Sequence, residues 1–217
     1  MIANRFSSRT LLLVVAALAT ACSVGNGTGD VKATNLFAAN CWKGGFDLKP
    51  DFFAAVPFRN TLYIREQRGS DFQGVSDGVT ILVDDLADTR TNHLNQALPV
   101  SLPRGVAPPG VAPGVLCGAN CGNGVHLTFF LLHSCFNENT ALYAVSGTIT
   151  FKHLFSGDPN ESDAAQKLSE GSFDVMVANP QDVVASGPNA GTIPNQSELT
   201  GTFRFFFERG QPAQPFP

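Results

Sequence analysis

Beyond residue 36, apolar and polar residues alternate mostly with a period of two, the spacing of half-buried β-strands rather than of helices. In Phe58–Arg65, Phe58, Leu62 and Ile64 fall on one face and Arg59, Thr61, Tyr63 and Arg65 on the other. Val79, Ile81 and Val83 alternate in the same way within Gly78–Asp84. Val125–Cys135 is apolar on both faces, Leu127, Phe129 and Leu131 against Phe130 and Leu132, which predicts a central strand covered on both sides. Leu142–Phe155 is long enough for a strand with a bend.

Three segments share a pattern of Gly, a small hydroxyl residue, a large apolar residue, a polar residue or Thr, and a second large apolar residue. They are Gly147–Phe151, Gly171–Val175 and Gly201–Phe205. They read as neighbouring antiparallel strands, each with a glycine where a bulge or a close backbone approach is needed. The pattern predicts one helix, short and on a connection: Asp158 as N-cap, Pro159 at the first helical position and Glu161 at the third, ahead of Ala164, Ala165 and Leu168. Together these features predict an all-β fold, an antiparallel β-sandwich or a partly open barrel, with at most one short helix.

Two stretches interrupt the pattern. Gly105–Val115 nearly repeats Gly-Val-Ala-Pro and reads as an extended loop within residues 103–116. Residues 210–217 carry three prolines and form a tail that cannot be a central strand. The body is then a single domain over residues 37–209.

Composition narrows the reading. Of 217 residues, 43% are hydrophobic and 15% charged, which argues against disorder. Eighteen Phe against two Tyr and one Trp point to a dry, Phe-packed core, and 21 Gly with 14 Pro to frequent turns. The net charge is −4, and removal of residues 1–21 with their two arginines takes it to about −6. An acidic chain does not offer the positive face that nucleic acid or a polybasic membrane contact needs.

Residues 1–21 read as an export signal. Arg5 and Arg9 form a positive start, and Leu11–Leu18 is an apolar run far too short to span a bilayer. Ala19-Thr20-Ala21-Cys22 follows, and small residues before a Cys resemble the lipobox of bacterial lipoproteins. The resemblance implies that the signal is cut before Cys22, that Cys22 is lipidated, and that several acyl chains anchor the protein. The family usually has Leu, Val or Ile three places before the Cys, where this chain has Ala19. Ser23 is compatible with outer-membrane sorting in that family. Residues 22–36, which begin with the small, uncharged Ser23–Gly29, read as a flexible tether. Gly201–Pro217 together with Lys49–Phe53 resembles a group of bacterial outer-membrane lipoproteins of no assigned activity, which implies an envelope location.

The remaining cysteines, Cys41, Cys117, Cys121 and Cys135, are even in number, and in an exported chain this predicts two disulfides. Three connectivities are open. The short Gly118–Asn120 turn favours Cys117 with Cys121, leaving Cys41 with Cys135. A soft-ligand metal site at Cys117, Cys121, His126, His133 and Cys135 is the rival, although its spacing matches no standard zinc pattern. Gly74–Gly78 matches the Gly-x-Ser-x-Gly elbow around Ser76, which needs a strand before it and a helix after it. His93, His126, His133 and His153 are bases only by residue type. Asp84, Asp85 and Asp88, and Asp158, Asn160, Glu161 and Asp163, could hold Ca²⁺ only as irregular loops; the second set lacks the glycine and closing Glu of an EF-hand.

The expectation is therefore a lipid-anchored cell-envelope protein, outer-membrane and periplasmic or surface-facing. Its expected role is structural, binding or interaction rather than enzymatic. No cofactor or nucleic acid is expected, and an envelope protein is a candidate partner. Two alternatives make structural demands. A carrier of small apolar ligands needs an enclosed Phe-lined pocket, and a hydrolase using Ser76 needs a histidine within reach of it.

Overall fold

Strands form where branched and aromatic residues recur at every second position between turn residues, because one face can then be buried. A computed structural model describes residues 27–69, 76–103, 106, 124–136, 138, 140–184, 187–188 and 191–208. Among them, β1 (Gly27–Ala38), β2 (Trp42–Leu48), β3 (Phe52–Phe58), β4 (Thr61–Gln67), β5 (Asp77–Val83), β6 (Ala97–Pro99), β7 (Val125–Leu131), β8 (Ala141–His153), β9 (Leu168–Ala178) and β10 (Ser197–Phe206) form one antiparallel sheet. Its order is β2-β1-β10-β9-β8-β7-β5-β4-β3, with β6 set against β8 off that path. The sheet curls strongly into a half-barrel, which is the all-β architecture expected.

Aromatic contacts trace the curl. Phe46 on β2 meets Phe129 on β7 edge-on at 5.1 Å, and Phe53 on β3 stacks on Phe205 of β10 at 5.6 Å. Strands far apart in the order therefore touch across the interior. Phe129, Phe151, Phe203 and Phe205 are all at most 1% exposed and lie in one core with Leu62, Ile64, Ile81 and Leu127. Among the described residues these rings pack against one another within the half-barrel. β7 is buried on nearly every residue, as the two-sided apolar pattern predicts.

The three repeated segments are neighbours in the sheet. Gly171 lies opposite both Phe151 and Phe203, and Gly201 opposite Phe173. At both glycines the neighbouring ring lies over the bare backbone. A Cβ on Gly201 would stand 2.2 Å from Phe173 Cζ, and one on Gly171 2.7 Å from Phe203 Cζ. Gly147 (φ +106°) follows a register shift between Ala144 and Ser146, so it serves the bulge. Gly201→Ala is expected to cost about 1–3 kcal/mol by overpacking, read from the denaturant midpoint. A neutral result would mean that the Phe173 ring can move aside.

Three expectations are corrected. The stretch expected to be tether up to residue 36 is β1 from Gly27 onward, paired to β10 and to β2. Its glycines look like linker residues, but they are small because β1 runs against large rings: a Cβ on Gly27 would meet Phe53 at 2.6 Å and Phe205 at 2.7 Å. Phe58–Arg65 is a hairpin and not a single strand. Phe58 ends β3 and is 61% exposed, Arg59 turns with φ +55°, and Leu62 and Ile64 face inward from β4. Helical turns lie elsewhere than expected among the described residues. The acidic Asp84–Asp88 segment opens α1 (Leu86–Asn92), with Asp85 capping the Asp88 N–H at 3.0 Å. The expected helix starts five residues late, as α2 (Ala164–Lys167) capped by Asp163. Before it, Asp158 and Glu161 spend their carboxylates on the N–H groups of Asn160, Ser162 and Asp163, which holds local turns instead of a first helical turn.

Candidate functional site

The sheet splits between β7 and β8, which pair only over Thr128–Phe130 and Ala141–Tyr143. The segment from Ala97 fills the gap: β6 pairs with β8, Val100 bridges Val125, and the Ser101 N–H donates to the Val125 carbonyl at 3.1 Å. Beneath it lies His126 of β7, 2% exposed. Its Nδ1 lies 2.7 Å from the Ser101 carbonyl oxygen and its Nε2 2.9 Å from Asp84 Oδ2, while Ser101 Oγ is 3.3 Å from Nδ1. Both close partners are oxygens, and each ring nitrogen is engaged by one of them. The ring clamps three segments, the end of β5, the start of β7 and the Ser101 crossing. Serine, histidine and aspartate meet here, yet the serine presents its carbonyl rather than its hydroxyl as the close partner, and the ring is enclosed. The arrangement is built to hold backbone, not to activate a nucleophile.

Ser76 is buried and accepts from Gln67 Nε2 at 3.2 Å. It leads directly into β5, so the helix an elbow requires is replaced by a strand, and no histidine is its hydrogen-bond partner among the described residues. His93 pairs with Asp88 at 3.0 Å on the surface, and His133 and His153 are exposed. Of the acidic residues considered for calcium, Asp85, Asp158, Glu161 and Asp163 serve as caps and turn acceptors, while Asp84 pairs with His126 and Asp88 with His93. Among the described residues no group of three or more His, Cys, Asp or Glu is placed to hold a metal ion.

Cys41 and Cys135 form a disulfide, with Cα atoms 5.6 Å apart and a sequence separation of 94. This bond removes Cys135 from the rival metal set, and His126 is occupied in its clamp. The disulfide joins the β1–β2 turn to the turn after β7. Asp77 secures that second turn: Oδ1 accepts from the His133 and Ser134 N–H groups at 3.0 Å each, and Oδ2 from the Ser134 hydroxyl at 2.6 Å. Cys22, Cys117 and Cys121 lie outside the described residues, as does the tail 210–217.

Alongside the disulfide runs an open groove of about 510 Å³ whose walls include Asn40, Glu138, Thr140, Tyr143 and Gln181. Ala39, Val106, Leu142 and Pro180 also line it, so its walls mix polar and apolar groups.

Two buried ionisable residues on β4 escaped the sequence reading. Arg65 is 3% exposed and lies over the Phe130 ring at 4.5 Å; burial pulls its guanidinium down to about 10. Glu66 points the other way, into the core. Burial, with a smaller contribution from Asp30, holds its carboxyl well above the usual carboxylate range. In a strand written Thr-Leu-Tyr-Ile-Arg-Glu-Gln, only the parity shared with Leu62 and Ile64 hints that Glu66 faces inward.

Comparison of the chain with protein-family models, with curated proteins and with solved structures finds no match.

Proposed function

We propose that this chain is a lipid-anchored lipoprotein of the cell envelope whose β-domain has a non-enzymatic structural or binding role. The observation that carries the reading is the order of features at the start of the sequence: Arg5 and Arg9, the apolar Leu11–Leu18, the small Ala19–Ala21, then Cys22. The Cys41–Cys135 bond supports it, because disulfides persist in oxidising compartments outside the cytosol. With β1 beginning at Gly27, the stretch between Cys22 and the body is short, so the domain would sit close to the bilayer that holds the acyl chains. A protein partner would have the edge of β3 to dock on, since β3 ends the strand order among the described residues.

The test is intact mass of the protein purified from the membrane fraction. The expected result is a chain beginning at Cys22 that carries acyl mass, and a Cys22→Ala variant recovered without that mass. A mature chain that starts elsewhere, or Cys22 without acyl mass, would overturn the anchor.

A further inference from the structure

Glu66 is fully buried, and among the described residues neither of its carboxyl oxygens has a hydrogen-bond partner. Its surroundings are specific. A Cβ on Gly29 of β1 would stand 2.9 Å from Glu66 Oε2 and 3.1 Å from Phe53 Cε1, so the bare backbone of β1 makes room for the carboxyl and the ring. This is where the curled sheet comes back on itself. Gly27–Asp30 is paired to β10, but the ladder from β1 to β2 begins only at Val31. The inward face of this strand end, at Gly27 and Gly29, is covered by Phe53 and Glu66 of the β3–β4 hairpin.

Among the described residues no positive group faces the carboxyl. On β1, Asp30 is turned outward to Lys32 and Thr202. On β4, Arg65 lies on the opposite face, over Phe130. On β5, Asp77 shares the inward parity but gives both oxygens to the His133–Ser134 turn. β3 has no charged residue, and Arg204 of β10 is directed outward to Glu170. An ionised carboxylate in this position would have neither a counter-charge nor a donor.

We propose that Glu66 is a proton-operated latch: the closed seam holds the carboxylic acid, and ionisation releases the Gly27–Asp30 end of β1 from the β3–β4 hairpin. The reaction is loss of the carboxyl proton to solvent, with the carboxylate taking up water as the strand end lifts. Its direction follows from the burial. The folded state holds the proton more tightly than the unfolded chain, whose Glu titrates near the ordinary value of 4.5. Closure is therefore complete at and below the ordinary carboxylate range and is lost as pH rises through the raised folded value. The latch does not depend on the lipid anchor, although the strand end it holds is the first part of the body after Cys22.

The experiment is backbone hydrogen exchange on the chain from residue 22 onward, with the disulfide intact, from about pH 5 to about pH 9, corrected for intrinsic exchange. Between the ordinary carboxylate range and the raised folded value of Glu66, protection of the Gly27–Lys32 amides is expected to fall on the order of tenfold per pH unit, the slope for one proton, and to level off above it. The β8 and β9 amides should keep theirs. Glu66→Gln should remove the slope, and Asp30→Asn, which alters an outward charge, should leave it in place. The same slope in Glu66→Gln, or an equal loss over β8 and β9, would overturn the latch. Should Glu66→Gln fail to fold, carbon NMR of the Glu66 carboxyl in the wild-type chain decides. Titration above the ordinary range in step with the loss of protection supports the latch, and titration in the ordinary range overturns it.

Discussion

Replacing Cys41 and Cys135 together by serine is expected to lower stability by about 4–5 kcal/mol, the largest effect of any change confined to a single contact here. The bond closes a separation of 94 residues, so the unfolded chain loses much conformational freedom through it. Both ends are already well held in the folded state. The Cys41 N–H donates to the Ala38 carbonyl at 3.1 Å, the Cys135 N–H to the Leu131 carbonyl at 2.8 Å, and Asp77 fixes the adjoining turn. The folded state therefore gains little freedom when the bond is cut, and the unfolded state gains a great deal. For a chain of this size the thermal midpoint should fall by roughly 10–15 °C. Cys117 and Cys121 are present in both proteins and cancel in the comparison. A drop of less than about 2 °C would mean that the two turns stay together in the unfolded ensemble without the bond.

Phe129→Ala should cost about 3–5 kcal/mol, and Phe129→Leu markedly less. Phe129 is fully buried on β7, and its ring meets Phe46 of β2 edge-on, with Trp42 beyond Phe46 at 5.5 Å. These rings link strands that share no hydrogen-bond ladder, so truncation opens a void where the curled sheet closes on itself. The neighbours are held in their own ladders and cannot collapse to fill it. Phe136, which is 67% exposed, provides the control: Phe136→Ala should change stability by less than about 0.5 kcal/mol. Comparable costs at the two positions, from urea midpoints, would argue against a closely packed interior.

Much of the fold was legible because strand burial repeats at a fixed short interval. Val79, Ile81 and Val83 face inward as their alternation predicts, and the two-sided β7 lies in the interior of the strand order. The Gly147, Gly171 and Gly201 segments are adjacent strands, as their shared glycine–hydroxyl–apolar pattern predicts, and at Gly171 and Gly201 the residue opposite is a phenylalanine. The misreadings also have local causes. Gly27 and Gly29 look the same in a tether and in a strand crowded by rings. The turn at Arg59–Asn60 carries no glycine or proline, so the alternation seemed to continue through it. The residues of α1 are polar and capped by one aspartate, so they resembled an acidic loop.

The candidate site was less legible. His126, Asp84 and Ser101 meet only because the sheet splits between β7 and β8 and a crossing segment fills the gap. No spacing in the sequence encodes that split. Glu66 is similar: its parity puts it inward, but its isolation depends on β1 closing over it from a distant part of the chain.

By itself the sequence determined the elements whose cause is local: the period-two strands, the glycine–phenylalanine pattern and the all-β class. Such features depend on a residue and its near neighbours, and a linear pattern carries that information. Only the tertiary structure decided where the tether ends, that Cys41 meets Cys135, that His126 is a clamp, and that Glu66 has no counter-charge. Each of these is a contact between segments many residues apart, and only the curl of the sheet brings those segments together.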